Sequence, residues 1–117
     1  MKLLIVEDNE SMRRTIKCII GDSADEIYEC SDGGEAVVLY SEHQPDWVLM
    51  DIELERMDGI EATSKIKALY PDAKIVIVTN YDDPKFKEAA FQAGAIRYLL
   101  KRRLFDISLI LESNDNF

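Results

Sequence analysis

Five short apolar runs recur along the chain, and each is followed by a segment whose apolar residues fall at helical spacing. The runs occupy residues 3–6, 27–30, 47–51, 75–78 and 96–100. All are too short for helices, and the third opens after Pro45 and Asp46 and stays apolar until Asp51. An uninterrupted apolar run of this length reads as a strand buried on both faces, as parallel strands are. Strands alternating with helices predict an α/β fold, a parallel sheet covered on both faces by right-handed crossovers.

The intervening segments carry helix signals of their own. Met12, Ile16, Ile19 and Ile20 share one face before Gly21 stops the first helix. Asp32 with Glu35, and Asp58 with Glu61, have capping-box spacing ahead of the helices holding Ala36, Val37 and Tyr40, and Ala62, Ile66 and Leu69. Pro71 closes the second of these. Asp83 and Pro84 suit the start of a helix carrying Phe86, Ala89, Ala90 and Ala93 up to Gly94. Leu104, Ile107, Ile110 and Leu111 predict a last helix, with a disordered tail from about residue 113. The weaker, partly polar run at 27–30 suits an edge strand.

At 117 residues the chain is expected to be one domain, 1–117. A net charge of -9 argues against direct nucleic-acid contact, because phosphates would be repelled. No stretch is long and apolar enough for a membrane span, and Glu7 interrupts the N-terminal run too early for a signal peptide, so a cytoplasmic location is expected. Cys18 and Cys30 have no metal or redox spacing and read as buried free thiols.

Strand order is not legible in periodicity. With the common order 2-1-3-4-5, the first and third strands meet at the topological switch point, and Glu7, Asp8 and Asp51 face one another there. Three carboxylates at one sheet edge repel unless a cation is bound, and oxygen donors without His or Cys suit Mg²⁺. Thr79 and Lys101 reach the same rim from the fourth and fifth strands. A nucleophilic carboxylate, a hard divalent ion, a lysine and a hydroxyl are what phosphoryl transfer to an aspartate requires. Taken singly, an Asp after a strand caps the next turn and a lysine is a solvated charge; it is their convergence on one rim that points to chemistry.

The motifs Leu-Ile-Val-Glu-Asp at 4–8, Leu-Met-Asp-Ile at 49–52, Met-Asp-Gly at 57–59, Ile-Val-Thr at 77–79, Ala-Gly-Ala at 93–95 and Tyr-Leu-Leu-Lys at 98–101 resemble the receiver (CheY-like) domains of two-component response regulators. The wording of the fourth helix and fifth strand is most similar to the NarL/FixJ subfamily. The resemblance implies a flavodoxin-like doubly wound (βα)5 fold of strand order 2-1-3-4-5. It implies that Asp51 is a phosphoacceptor served by a histidine kinase, and that Glu7, Asp8, Asp51 and the Glu53 backbone carbonyl hold Mg²⁺. Thr79 and Lys101 would contact the phosphoryl group, and Tyr98 would be the switch aromatic. Such a protein is a signalling switch with only intrinsic self-phosphorylation and slow autodephosphorylation, not an enzyme. It would control transcription through a DNA-binding domain missing from this chain. The first and last helices would form a dimer face on phosphorylation, and the kinase would dock near Met12 and Arg13.

Four positions depart from the family pattern. Glu55 replaces a usual proline, Arg102 follows the lysine where proline or an acid is usual, Asn80 stands in place of a small residue, and Arg97 in place of glycine. Two other readings compete: an aspartate-nucleophile phosphatase, disfavoured because Asp51-Ile52-Glu53 lacks the second aspartate, and an interaction module with a vestigial site.

Overall fold

The computed structural model describes residues 1–112; the tail expected from about residue 113 lies outside the described residues. In chain order the elements are β1 (Lys2–Val6), α1 (Glu10–Ile20), β2 (Glu26–Cys30), α2 (Gly33–His43), β3 (Trp47–Met50), α3 (Gly59–Leu69), β4 (Ile75–Thr79), α4 (Pro84–Ala93), β5 (Arg97–Leu100) and α5 (Ile107–Glu112). The strands form one parallel sheet in the order β2-β1-β3-β4-β5, with β2 at an edge as its polar pattern predicts.

Strand alternation divides the core into two layers. Leu4, Val6, Val48, Met50, Ile75 and Ile77 pack under α2, α3 and α4 with Ala36, Tyr40, Ala62, Ile66 and Ala90. Leu3, Ile5, Trp47, Leu49, Val76 and Val78 pack under α1 and α5 with Ile16, Ile20 and Ile107. Because β1, β3 and β4 are covered on both faces, residues 3–6, 47–50 and 75–78 can be apolar without a break.

Each long helix opens on a side-chain cap. Asn9 accepts from the Met12 amide at 2.9 Å, Asp32 from Glu35 at 2.9 Å, Asp58 from Glu61 at 2.8 Å and Asp83 from Lys85 at 2.9 Å. Gly94 ends α4 in the left-handed region at φ 110°, where a side chain would be strained.

The structure corrects four expectations. Leu69, expected to share the buried face of α3 with Ala62 and Ile66, is 64% exposed as the last residue of that helix. β3 ends at Met50, so Asp51 lies just past the ladder. The last helix does not reach back to Leu104: residues Lys101–Asp106 form a 3-10 stretch broken at Arg103 (φ -111°, ψ 29°), and Leu104 is buried from there. Cys18 is exposed, because the buried face of α1 runs through Ile16 and Ile20 and a residue midway between them points outward. Cys30 is buried as expected, and burial pushes its thiol up to about 12.

Gly59 determines how close α3 comes to the sheet. A Cβ there would lie 1.9 Å from the Asp51 carbonyl oxygen, and the Gly59 amide donates to the Ile52 carbonyl at 3.0 Å. Gly59→Ala is therefore expected to cost about 2–3 kcal/mol or more through forced overpacking. Urea unfolding measures this; an unchanged midpoint would show that the start of α3 can move aside freely.

Candidate functional site

The C-terminal ends of β1, β3, β4 and β5 deliver Glu7, Asp51, Thr79 and Lys101 to one rim of the sheet. Position is set by backbone bonds that continue the ladder past the strands. The Glu7 amide donates to Cys30 O at 3.0 Å and the Asp51 amide to Val6 O at 3.0 Å. Glu7, Asp51 and Thr79 are 2%, 4% and 1% exposed, so these polar groups are desolvated and need partners.

Lys101 supplies the principal partner. Its Nζ lies 2.8 Å from Glu7 Oε1 and 3.2 Å from Asp51 Oδ2. The Asn9 amide donates to the other Glu7 oxygen at 3.1 Å. Burial pushes the Asp51 carboxyl above its ordinary range, outweighing the opposing pull of Lys101. Burial works to lower the Lys101 ammonium, but its hydrogen bond to Glu7 and the charges of Asp51 and Glu7 prevail, so it stays protonated. Asp8 is exposed at the mouth of the site; partial desolvation, then its contact with Glu7, raises its carboxyl as well.

Glu7, Asp8 and Asp51 each present a carboxylate oxygen, and these three oxygens lie within 4.8 Å of one another. Such a donor set, hard, anionic and free of nitrogen and sulfur, fits a small divalent cation, with exposed Asp8 leaving room for water ligands. Glu53 stands in the exposed loop after Asp51. Its side chain accepts the Tyr81 hydroxyl at 2.8 Å, and its backbone contributes a hydrogen bond that favours ionised Asp51.

Tyr81 was not singled out by sequence, yet it joins the parts of the rim. Its amide donates to Thr79 Oγ1 at 3.2 Å, its carbonyl accepts the Tyr98 hydroxyl at 2.7 Å, and its ring stacks on Phe86 at 4.7 Å. Together with the Glu53 contact, this connects the loops after β3 and β4 to β5. A tyrosine in a polar loop carries no periodic signal.

The departures from the family pattern also find places. Glu55 and Asn80 are exposed. Arg102 pairs with Asp82 at 2.9 Å, and Arg97 Nη1 donates to the Ile96 carbonyl at 3.0 Å. No cis peptide bond occurs among the described residues. His43 ends α2 and stacks on Tyr28 at 3.9 Å, away from the carboxylates, and Trp47 is core, with Lys74 over its ring at 4.5 Å.

Comparison with known proteins agrees with this geometry. Residues 3–112 match the family model described as the response regulator receiver domain. The transcriptional regulatory protein LiaR of Bacillus subtilis is 39% identical over 103 residues, covering 86% of this chain and 49% of LiaR. The chemotaxis protein CheY of Halobacterium salinarum is 38% identical over 100 residues, covering 86% of this chain and 83% of CheY. A crystal structure of a LuxR-family two-component response regulator from Aurantimonas sp. SI85-9A1 superposes with a TM-score of 0.87 at 32% identity, covering 95% of this chain and 81% of that one. The regulators of transcription among these relatives agree with the NarL/FixJ likeness, and this chain spans about half the length of LiaR. Matched along nearly all its described length in sequence and in backbone, the chain belongs to the receiver domain family of two-component response regulators.

Proposed function

We propose that the chain is a phosphorylation-controlled switch whose Asp51 accepts a phosphoryl group from a histidine kinase. The observation that carries this reading is Lys101 bridging Asp51 and Glu7 at the adjoining ends of β3 and β1, with Asp8 beside them. Asp51 Oδ attacks phosphorus, the bond from phosphorus to the kinase imidazole breaks, and its electron pair returns to that nitrogen. Glu7, Asp8, Asp51 and the Glu53 carbonyl would hold Mg²⁺, which offsets oxygen charge as the phosphoryl group transfers.

Lys101 is placed to exchange part of its present contact with the carboxylates for a phosphoryl oxygen. The Thr79 oxygen now accepts from the Tyr81 amide, which leaves its own proton free for another acceptor. Drawing that hydroxyl inward pulls on Tyr81, and through its carbonyl on Tyr98, so charge at Asp51 is read at the surface of α4, β5 and α5. The change is a population shift, no larger than the phosphoryl group's differential interaction with the two states. The site has the parts for self-phosphorylation and slow hydrolysis, consistent with a switch rather than a turnover enzyme.

Residues 1–117 act in this reading as a single receiver domain in the cytoplasm. Control of transcription is the proposed output of the whole protein, by analogy with relatives named as transcriptional regulators. The net charge of -9 leaves DNA contact to something other than this domain. Pairing of two copies through α1 and α5 is the proposed response to phosphorylation, and α1 the proposed kinase contact.

Mg²⁺ is expected to stabilise the chain, by about 1.4 kcal/mol at tenfold excess over its Kd, and Asp8→Asn to weaken that effect. A melting temperature unmoved by Mg²⁺ would exclude the metal site. Asp51→Asn should abolish mass labelling by acetyl phosphate. It should also stabilise the metal-free protein: a raised carboxyl binds its proton more tightly when folded, so ionised Asp51 lowers stability above that raised value, and stability falls as pH rises towards it. A gain on the order of 1 kcal/mol, a few degrees in Tm, is expected near neutral pH; full aspartyl labelling of the variant would show another acceptor. With beryllofluoride, NMR shifts should extend from Asp51 to Tyr81 and Tyr98 in wild type and stay at the pocket in Thr79→Ala. Tyr98 resonances unmoved in wild type would rule out the coupling.

A further inference from the structure

Arg13 lies one turn into α1, at a position where an arginine is ordinarily a solvated charge. Here its side chain turns inward and is 21% exposed. Nη1 donates to the Glu7 backbone carbonyl at 2.6 Å, and Nε pairs with Glu29 Oε1 at 3.2 Å. Glu29, on β2, is anchored in turn by Lys17 Nζ on its other oxygen at 2.9 Å. The guanidinium therefore spans from the edge strand to the acidic loop.

The carbonyl it grips belongs to the peptide unit that joins Glu7 to Asp8. That unit is planar, so fixing its oxygen fixes the direction in which the chain leaves Glu7 and enters Asp8. Four contacts then hold this corner: the Glu7 amide to Cys30 O, the Glu7 carboxylate to the Asn9 amide and to Lys101, and the Glu7 carbonyl to Arg13. Lys101 reaches in from outside the loop but holds only the Glu7 carboxylate; among the described contacts it is the Arg13 bond that acts on the peptide plane between the two acidic residues.

We infer that Arg13 is a positioning residue for divalent-cation binding, orienting the Glu7–Asp8 peptide so that both carboxylates and Asp51 converge. This rests on the metal reading above and deepens it. The rigid fork of the guanidinium is essential, because one donor must hold the carbonyl while another holds Glu29. A lysine keeps the charge but, being a point donor, cannot hold both in fixed relation.

The test is Mg²⁺ titration followed by NMR of the Asp8 and Asn9 amides in wild type, Arg13→Ala, Arg13→Lys and Arg14→Ala, with urea unfolding in chelator as the measure of fold. Both Arg13 variants are expected to raise the Mg²⁺ Kd about tenfold, as loss of an outer-shell partner does, and to shift those amides before metal is added. Arg14→Ala, which removes the same charge from the exposed face of α1, should keep the wild-type Kd. A wild-type Kd in both Arg13 variants overturns the inference, and so does full recovery in Arg13→Lys, since charge alone would then suffice. If Arg13→Ala does not fold, Arg13→Lys decides by the same two readouts. Absence of Mg²⁺ binding by wild type would overturn the metal reading, and this inference with it, which separates that failure from an effect confined to Arg13.

Discussion

Electrostatic repulsion among Glu7, Asp8 and Asp51 is the constraint around which the rim is built. The sheet order forces it, because β1 and β3 are neighbours and their next residues are acidic. Lys101 answers it from a distance: β5 stands two strand spacings from β3, about 10 Å, and three from β1. A long, flexible side chain is needed to cross that gap, and Lys101 crosses it while reaching both carboxylates. The pair is weak evidence for stability in itself, since desolvating three charged groups offsets much of their attraction. Its significance lies in leaving a buried, oriented carboxylate beside a cation at the edge of a rigid sheet.

Much of this was legible in the chain. The runs ending at Glu7, Asp51, Thr79 and Lys101 carry the periodicity of buried strands, so their final residues could be located to within one position. The caps Asp32, Asp58 and Asp83 were readable because a short acidic side chain before a helical repeat has one common use. What escaped depends on contacts between distant segments. The inward turn of Arg13 requires knowing that β2 sets Glu29 beside α1, and the role of Tyr81 requires the loops after β3 and β4 to meet. Cys18 was misplaced because apolar character was given more weight than helical phase. The short α5 followed from a local break at Arg103, where side-chain pattern and backbone angles disagree.

The unusual basic residues near the fifth strand are absorbed locally. Arg102 meets Asp82 at the start of the loop before α4, and Tyr98 reaches the carbonyl of the residue just before Asp82. The loop after β4 is thus joined to β5 by a half-buried hydroxyl and to the 3-10 stretch after β5 by an exposed ion pair, which is worth less in water. Any rearrangement of that face has to exchange both together.

The close approach at Gly59 has a mechanical consequence. On one side of Asp51, chain meets chain: α3 abuts the Asp51 carbonyl, and a Cβ at Gly33 would lie 2.4 Å from the Met57 carbonyl, so the starts of α2 and α3 and the intervening loop have almost no slack. On the other side, the loop carrying Tyr81 is held by single hydrogen bonds, one exposed ion pair and a stacked ring. A force developed at Asp51 therefore meets a stiff wall on one flank and a compliant one on the other. Displacement would follow the compliant flank, towards α4 and β5, so in the proposed switch the direction of the response is biased by where glycine allows backbone to touch backbone.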